Sequence, residues 1–209
     1  MLSMKVRRLN KTKQLQESRE QSTNITTTAL NEDGTNRDNV FLRVIGEQYL
    51  PIAFRMAAAA DPAAKLYYND YNLEYGTAKH LGALRIVKLV QSWGAKIDGV
   101  GLQGHLVSEP TGTQSEVTPS VAVLTKVLQD YANLGVDVAY TELDVRSRTP
   151  SNAQKLADAA AAWARVAQSC INVQRCVGMT IWVSFLYPTH NLFDFGDYML
   201  TCWALGYCG

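Results

Sequence analysis

Short apolar runs alternate with long amphipathic stretches four times along this chain. The runs fall at Lys65 to Asn69, Ile97 to Leu102, Val136 to Glu142 and Val177 to Trp182. They begin about 32, 39 and 41 residues apart, spacings that hold one crossover helix and its loops. Strands joined by helices in this rhythm predict βαβ units and a parallel sheet, as in a barrel or a doubly wound fold.

The helices carry their own signals. Thr118 can cap and Pro119 can take the first helical position ahead of Val121, Leu124, Leu128 and Tyr131 on one face, with Gly135 as the stop. Ser151 and Gln154 form a capping-box pattern before Leu156, Ala159, Ala160, Trp163 and Val166. Leu81, Leu84, Val87 and Val90 make the apolar stripe of the helix between the first two strands. A further helix is expected from about Asn39 to Ala60, ended by Asp61-Pro62 and broken or kinked at Pro51. Beyond Trp182 no periodicity continues, and no regular structure is predicted for Val183 to Gly209.

Composition adds limits. With 209 residues and 47% hydrophobic content the chain can bury one sizeable core, and its net charge of +1 gives no reason to expect nucleic acid, an anionic membrane or an acidic substrate. No apolar run approaches the roughly 18 to 20 residues that span a bilayer, and Met1 to Glu20 lacks the apolar stretch of a secretory signal, so the chain reads as soluble. Its basic opening, with Lys5, Arg7, Arg8, Lys11, Lys13 and Arg19, reads as a solvated tail in preference to a transit peptide or nucleic-acid arm. The four cysteines, Cys170, Cys176, Cys202 and Cys208, lack the spacing of a zinc knuckle, so no metal is expected. Cys170 and Cys176 flank one helix-to-strand turn; a disulfide in an oxidising compartment and two free buried thiols both fit.

Chemistry-bearing side chains gather where the strands end: Asn69-Asp70-Tyr71-Asn72, Gln103-Gly104-His105, Thr141-Glu142-Leu143-Asp144 and Trp182. A (β/α)8 barrel places its active site on that face because its βα loops converge there. Carboxylate, amide, imidazole and indole together suit sugar chemistry, which needs a carboxylate at the anomeric carbon, polar groups for hydroxyls and aromatic faces for the C–H side of the ring. His80, inside a predicted helix, and His190, in the C-terminal tail, are given no role in this cleft.

Four motifs carry a family resemblance: Ala29-Leu30-Asn31-Glu32-Asp33-Gly34, Leu66 to Asn72, Asp98 to His105, and Tyr140 to Asp144. In order and spacing they resemble fungal glycoside hydrolase family 10 endo-β-1,4-xylanases over about three quarters of the chain. The resemblance implies an α/β fold, a partial (β/α)8 barrel of about the fourth to eighth βα units. It divides the chain into a divergent, disordered segment 1–28, the partial barrel 29–182, and a divergent tail 183–209.

It also implies retaining hydrolysis of β-1,4-xylosidic bonds with Glu142 as nucleophile and His105 holding that carboxylate ionised and oriented. Asn69, Tyr71, Asn72, Gln103 and Trp182 would bind substrate, with xylan or xylo-oligosaccharides as partner and no cofactor. The parent family is extracellular; with no signal peptide seen, the location of this form stays open.

The resemblance departs at one decisive place. Where the family carries a Trp-Asp-Val-Val-Asn-Glu segment ending in the general acid/base, this chain has Thr27 and Thr28 for the final Asn and Glu. A threonine hydroxyl is far too weak an acid to protonate a leaving sugar, and Glu32 and Asp33 lie beyond the motif. The expectation is therefore a truncated xylanase-like chain with weak or no activity. Alternatives are a xylo-oligosaccharide-binding remnant without catalysis, or a structural fragment that self-associates through open barrel edges.

Overall fold

The computed structural model describes residues 28–181 and the strand at 198–200. The expected role of Trp182 and the N- and C-terminal segments, with Cys202, Cys208 and His190, lie outside these residues.

Four parallel strands in sequence order form the arc on which everything else is built. β1 (Tyr67–Asp70) pairs with β2 (Gly99–Leu102), β2 with β4 (Asp137–Arg148), and β4 with β5 (Cys176–Ile181). Beyond the Gln103-Gly104 turn, β3 (His105–Val107) resumes parallel pairing with the far half of β4, and β6 (Tyr198–Leu200) lies antiparallel to its last residues. β4 thus runs well past the predicted end at Glu142, because β3 and β6 continue to satisfy its backbone groups.

Alternation along the strands separates two faces. Tyr68, Val100, Leu102, Val138 and Tyr140 are buried against the helices, together with Ile86, Val87, Leu124, Leu128, Tyr131, Trp163 and Val166. The opposite face carries Asn69, Gly101 and Thr141, and a Cβ on Gly101 would lie 2.4 Å from Asn69 Oδ1 and 2.7 Å from Thr141 Cγ2. Only glycine leaves room there for the two polar side chains to meet across the middle strand.

The helices correct several expectations. The segment from Asn39 to Ala60 does divide, but at Gly46 and not at Pro51, giving α1 (Val40–Ile45) and α2 (Tyr49–Ala60). Gly46 takes φ 78°, which ends α1, whereas Pro51 falls in the first turn of α2, where a backbone donor has no helical partner to lose. In α3 (Ala78–Ser92) the buried face is Ala83, Ile86, Val87 and Val90, while Leu81 is 62% exposed. α4 (Val121–Ala132) is capped by Ser120, whose side chain accepts from Val123 N–H; Thr118 instead donates to the Val107 carbonyl. α5 (Ala153–Ile171) is capped by Asn152 through Lys155 N–H and not by Ser151, and Leu156 and Ala160 face outward.

Cys170 at the end of α5 and Cys176 at the start of β5 form a disulfide with Cα atoms 5.3 Å apart, which closes the turn between them. Among the described residues no helix is long and apolar enough to cross a membrane.

Candidate active site

Glu142 sits on β4 and is 9% exposed. Strict alternation from Thr141 would turn it away from Asn69, yet Asn69 Nδ2 donates to Glu142 Oε1 at 3.2 Å. The register between β4 and β5 shifts between Tyr140 and Leu143, the stretch that holds Glu142. Such an irregularity re-aims a side chain, and here it brings the carboxylate round to the polar face.

The donor is itself oriented. Thr141 Oγ1 donates to Asn69 Oδ1 at 2.6 Å, which fixes the oxygen end of the amide and leaves its NH2 for Glu142. Asn69 is 5% exposed, so little water competes for these bonds.

His105 opens β3 and lies between two carboxylates. Its Nε2 is 3.6 Å from Glu142 Oε2 and its Nδ1 is 3.3 Å from Asp144 Oδ1. The bond to Asp144, then the contact with Glu142, raises the imidazole pKa to about 9 against an opposing push from burial. At neutral pH the ring is therefore a cation flanked by two carboxylates, and it restrains Glu142 on the side away from Asn69.

Tyr71 and Asn72 follow β1 directly. The Tyr71 hydroxyl accepts from Arg37 Nη2 at 2.7 Å, and its ring lies over the Lys79 ammonium. Asn72 adopts a left-handed backbone with φ 58° and donates from Nδ2 to Glu32 Oε2 at 3.1 Å. Gln103 holds the strands through its backbone: its N–H donates to the Asp70 carbonyl and its carbonyl accepts from Glu142 N–H, both at 3.0 Å. The structure thus brings Asn69, His105 and Glu142 into direct contact and places Tyr71, Asn72 and Gln103 on the adjoining strand ends.

Several participants were not singled out from the sequence. Arg37, Glu74 and Lys79 all act on residues that were, and each comes from a segment whose local pattern marks it as ordinary loop or helix. Glu32 is committed to Lys79, at 2.8 Å, and to Asn72, while Asp33 accepts from the N–H and hydroxyl of Thr35. Neither carboxylate bonds to a residue of the Glu142 cluster in these contacts. Thr28 Oγ1 is buried with no hydrogen-bond partner among the described residues.

A polar hollow of about 190 Å³ lies beside the site, lined by residues that include Glu32, Asn72, Tyr75, Gln114 and Glu116. Of the predicted site residues it touches only Asn72, so the chemistry is located by the side-chain geometry and not by this hollow. Among the described residues no group of three or more His, Cys, Asp or Glu side chains is arranged to hold a metal ion.

Comparison with known proteins identifies the family. The model of glycosyl hydrolase family 10 matches residues 14–184. The chain is 66% identical over 154 residues to endo-1,4-beta-xylanase 1 of Gibberella zeae, which takes in 74% of this chain and 44% of that protein. It is also 66% identical over 154 residues to endo-1,4-beta-xylanase A of Fusarium oxysporum f. sp. lycopersici, again 74% of this chain and 47% of the relative. The chain therefore spans about half the length of the curated relatives it matches. Among solved structures, the GH10 xylanase from Bispora sp. MEY-1 with xylobiose is 37% identical with a TM-score of 0.66, covering 74% of this chain and 46% of that one. The Penicillium canescens endo-1,4-beta-xylanase XylE is 36% identical with a TM-score of 0.67, covering 74% and 47%.

Proposed function

The chain belongs to glycosyl hydrolase family 10, its fold is a partial (β/α)8 barrel, and from that premise we propose that it carries the nucleophilic half of an endo-1,4-β-xylanase. Glu142 attacks the anomeric carbon of a β-1,4-xylosidic bond and becomes esterified to the sugar, the leaving oxygen departs, and water then releases the retained product. The observation that carries this reading is the disposition of Glu142, with Asn69 donating to one carboxylate oxygen at 3.2 Å and His105 standing 3.6 Å from the other. Both contacts favour the ionised carboxylate and fix its direction of attack. Asn69, Tyr71, Asn72 and Gln103 form the surface on which xylo-oligosaccharide lies; the resemblance adds Trp182, which lies outside the described residues.

The step that suffers is proton transfer. A retaining glycosidase uses a second carboxyl roughly 5 to 5.5 Å from the first to protonate the leaving oxygen. Thr28 occupies the position at which the family resemblance expects that group. Loss of a general acid costs about 10² to 10⁴ in rate on an unactivated glycoside, so turnover of xylan by this chain is weak or absent. The same substitution supports a second reading, a protein that binds xylo-oligosaccharides without cleaving them. The Cys170–Cys176 disulfide accords with an oxidising, extracellular setting.

The test uses a substrate whose leaving group needs no proton. Incubating the chain with 2,4-dinitrophenyl β-xylobioside should release one equivalent of phenolate and leave a xylobiosyl ester on Glu142, located by peptide mass spectrometry and missing from Glu142→Ala. No burst and no ester, with xylo-oligosaccharide binding still seen by calorimetry, would replace the hydrolase reading with the binding one. Rapid xylan hydrolysis that disappears in Glu142→Ala would overturn the claim of impairment.

A further inference from the structure

Beneath the turn that carries His105 lies a carboxylate that the proposed chemistry does not use. Glu74 sits in the single 3-10 turn Leu73–Tyr75 and is 1% exposed. Its Oε1 accepts from Gly104 N–H at 2.6 Å. The carbonyl of Gly104 in turn accepts from Asp144 N–H at 3.1 Å, so both backbone groups of this residue are held, each from a different element.

Gly104 is the hinge of the site. It takes φ 75°, a conformation costly for any residue with a side chain, and a Cβ there would meet Leu143 Cδ1 at 3.1 Å. On one side of it, Gln103 accepts from the backbone N–H of Glu142 at 3.0 Å. On the other, His105 reaches Glu142 and Asp144 with its two ring nitrogens. Whatever fixes the Gly104 peptide therefore fixes the direction in which the imidazole leaves the backbone.

A neutral amide would satisfy the same N–H with a smaller desolvation penalty. What a carboxylate adds is a negative charge that feels the charge of His105. Burial pushes Glu74 up to about 7, while its backbone hydrogen bonds and the His105 charge pull it down.

We propose that Glu74 is a positioning residue: its carboxylate pins the Gly104 peptide and so holds His105 between Glu142 and Asp144. The consequence for catalysis rests on Glu142 being the nucleophile, but the geometry that Glu74 controls does not. A chain that never cleaves a glycoside would still need it to keep the imidazole in place.

The test is made on the full chain with Glu74→Gln and Glu74→Met, read by the NMR titration of the His105 ring and the chemical shift of the Gly104 amide proton. Met fills a similar volume but offers no acceptor of this kind. It should lower the His105 pKa by about one unit or more and move the Gly104 proton upfield. Gln keeps an acceptor of the same reach without the charge, and should lower the His105 pKa by about half a unit. A purely space-filling role predicts that both signals stay where they are in Glu74→Met. If Glu74→Met does not fold, the parent chain decides: a Gly104 amide proton whose shift stays constant while Glu74 titrates overturns the proposal. A parent chain that forms no ester on Glu142, yet whose His105 follows Glu74 as described, overturns the nucleophile reading and upholds the positioning role.

Discussion

The ammonium of Lys79 lies 3.3 Å from the centroid of the Tyr71 ring, and the lysine side chain is fully buried. Its charge is met by Asp70 at 3.4 Å, itself fully buried, and by Glu32 at 2.8 Å. One cation thus ties the first turn of α3 to the end of β1 and to the Asn31–Gly34 loop, and it sets the face that Tyr71 presents.

Removing that cation should be expensive. Lys79→Met would strand the Asp70 carboxylate, which burial already pushes up in pKa, and breaking a buried pair from one side costs about 3 to 5 kcal/mol. Urea unfolding should show a loss of this size, partly restored in Asp70→Asn/Lys79→Met because neither charge then remains. A loss below about 1 kcal/mol would mean that Tyr68 and the Tyr71 backbone, which also bond to Asp70, suffice without the lysine.

Two groups make stability fall as pH rises, in adjoining windows. His105 has its pKa raised to about 9 from 6.5, so the stability it adds is complete below about pH 6.5 and lost as pH passes through 9. Glu74 is raised to about 7 from 4.5, so the folded state holds its proton more tightly and stability drains between those values. Denaturant midpoints measured from pH 4 to 10 should therefore decline in both intervals. Glu74→Gln should flatten the lower one and leave most of the upper. An unchanged lower slope in that variant would show that some other carboxyl sets it.

How far the sequence revealed this arrangement can be judged residue by residue. The strands were legible because each apolar run ends in a polar cluster, and Asn69, His105 and Glu142 do meet as neighbours on successive strands. Lys79 was not legible: a lysine in an amphipathic helix reads as solvent-facing, and only the tertiary positions of Tyr71, Asp70 and Glu32 make a buried charge tolerable. Glu74 was hidden for a related reason, since its partner Gly104 is thirty residues away in sequence. The caps at Ser120 and Asn152 and the break at Gly46 show the other limit. Where adjacent residues can all cap or break a helix, the choice is made by what else they can bond, as Thr118 does with Val107.

Gly101 should be intolerant of even one added carbon. The Cβ of Gly101→Ala would collide with Asn69 Oδ1 at 2.4 Å and Thr141 Cγ2 at 2.7 Å, displacing the amide that donates to Glu142. Overpacking of this kind costs about 1 to 3 kcal/mol. Loss of a hydrogen bond to a charged group should also slow ester formation on Glu142 by about ten- to a hundredfold. An alanine variant that forms the ester at the parental rate would show that the Asn69–Glu142 bond does not matter for attack.

The absence of a carboxyl at Thr28 leaves the second half of the reaction open to a different nucleophile. Once xylobiose is esterified to Glu142, water needs a general base to attack the anomeric carbon, and a threonine hydroxyl does not serve as one. Azide needs no base, because it arrives already as an anion. It would displace Glu142 from the anomeric carbon, forming β-xylobiosyl azide and regenerating the free carboxylate. With 2,4-dinitrophenyl β-xylobioside as donor, added azide should convert a single burst of phenolate into continued turnover, and Thr28→Glu should remove the azide dependence. A β-azide product identified by NMR would fix both the role of Glu142 and the retaining course. An α-azide, or turnover equal in Glu142→Ala, would show that the displacement does not pass through this residue.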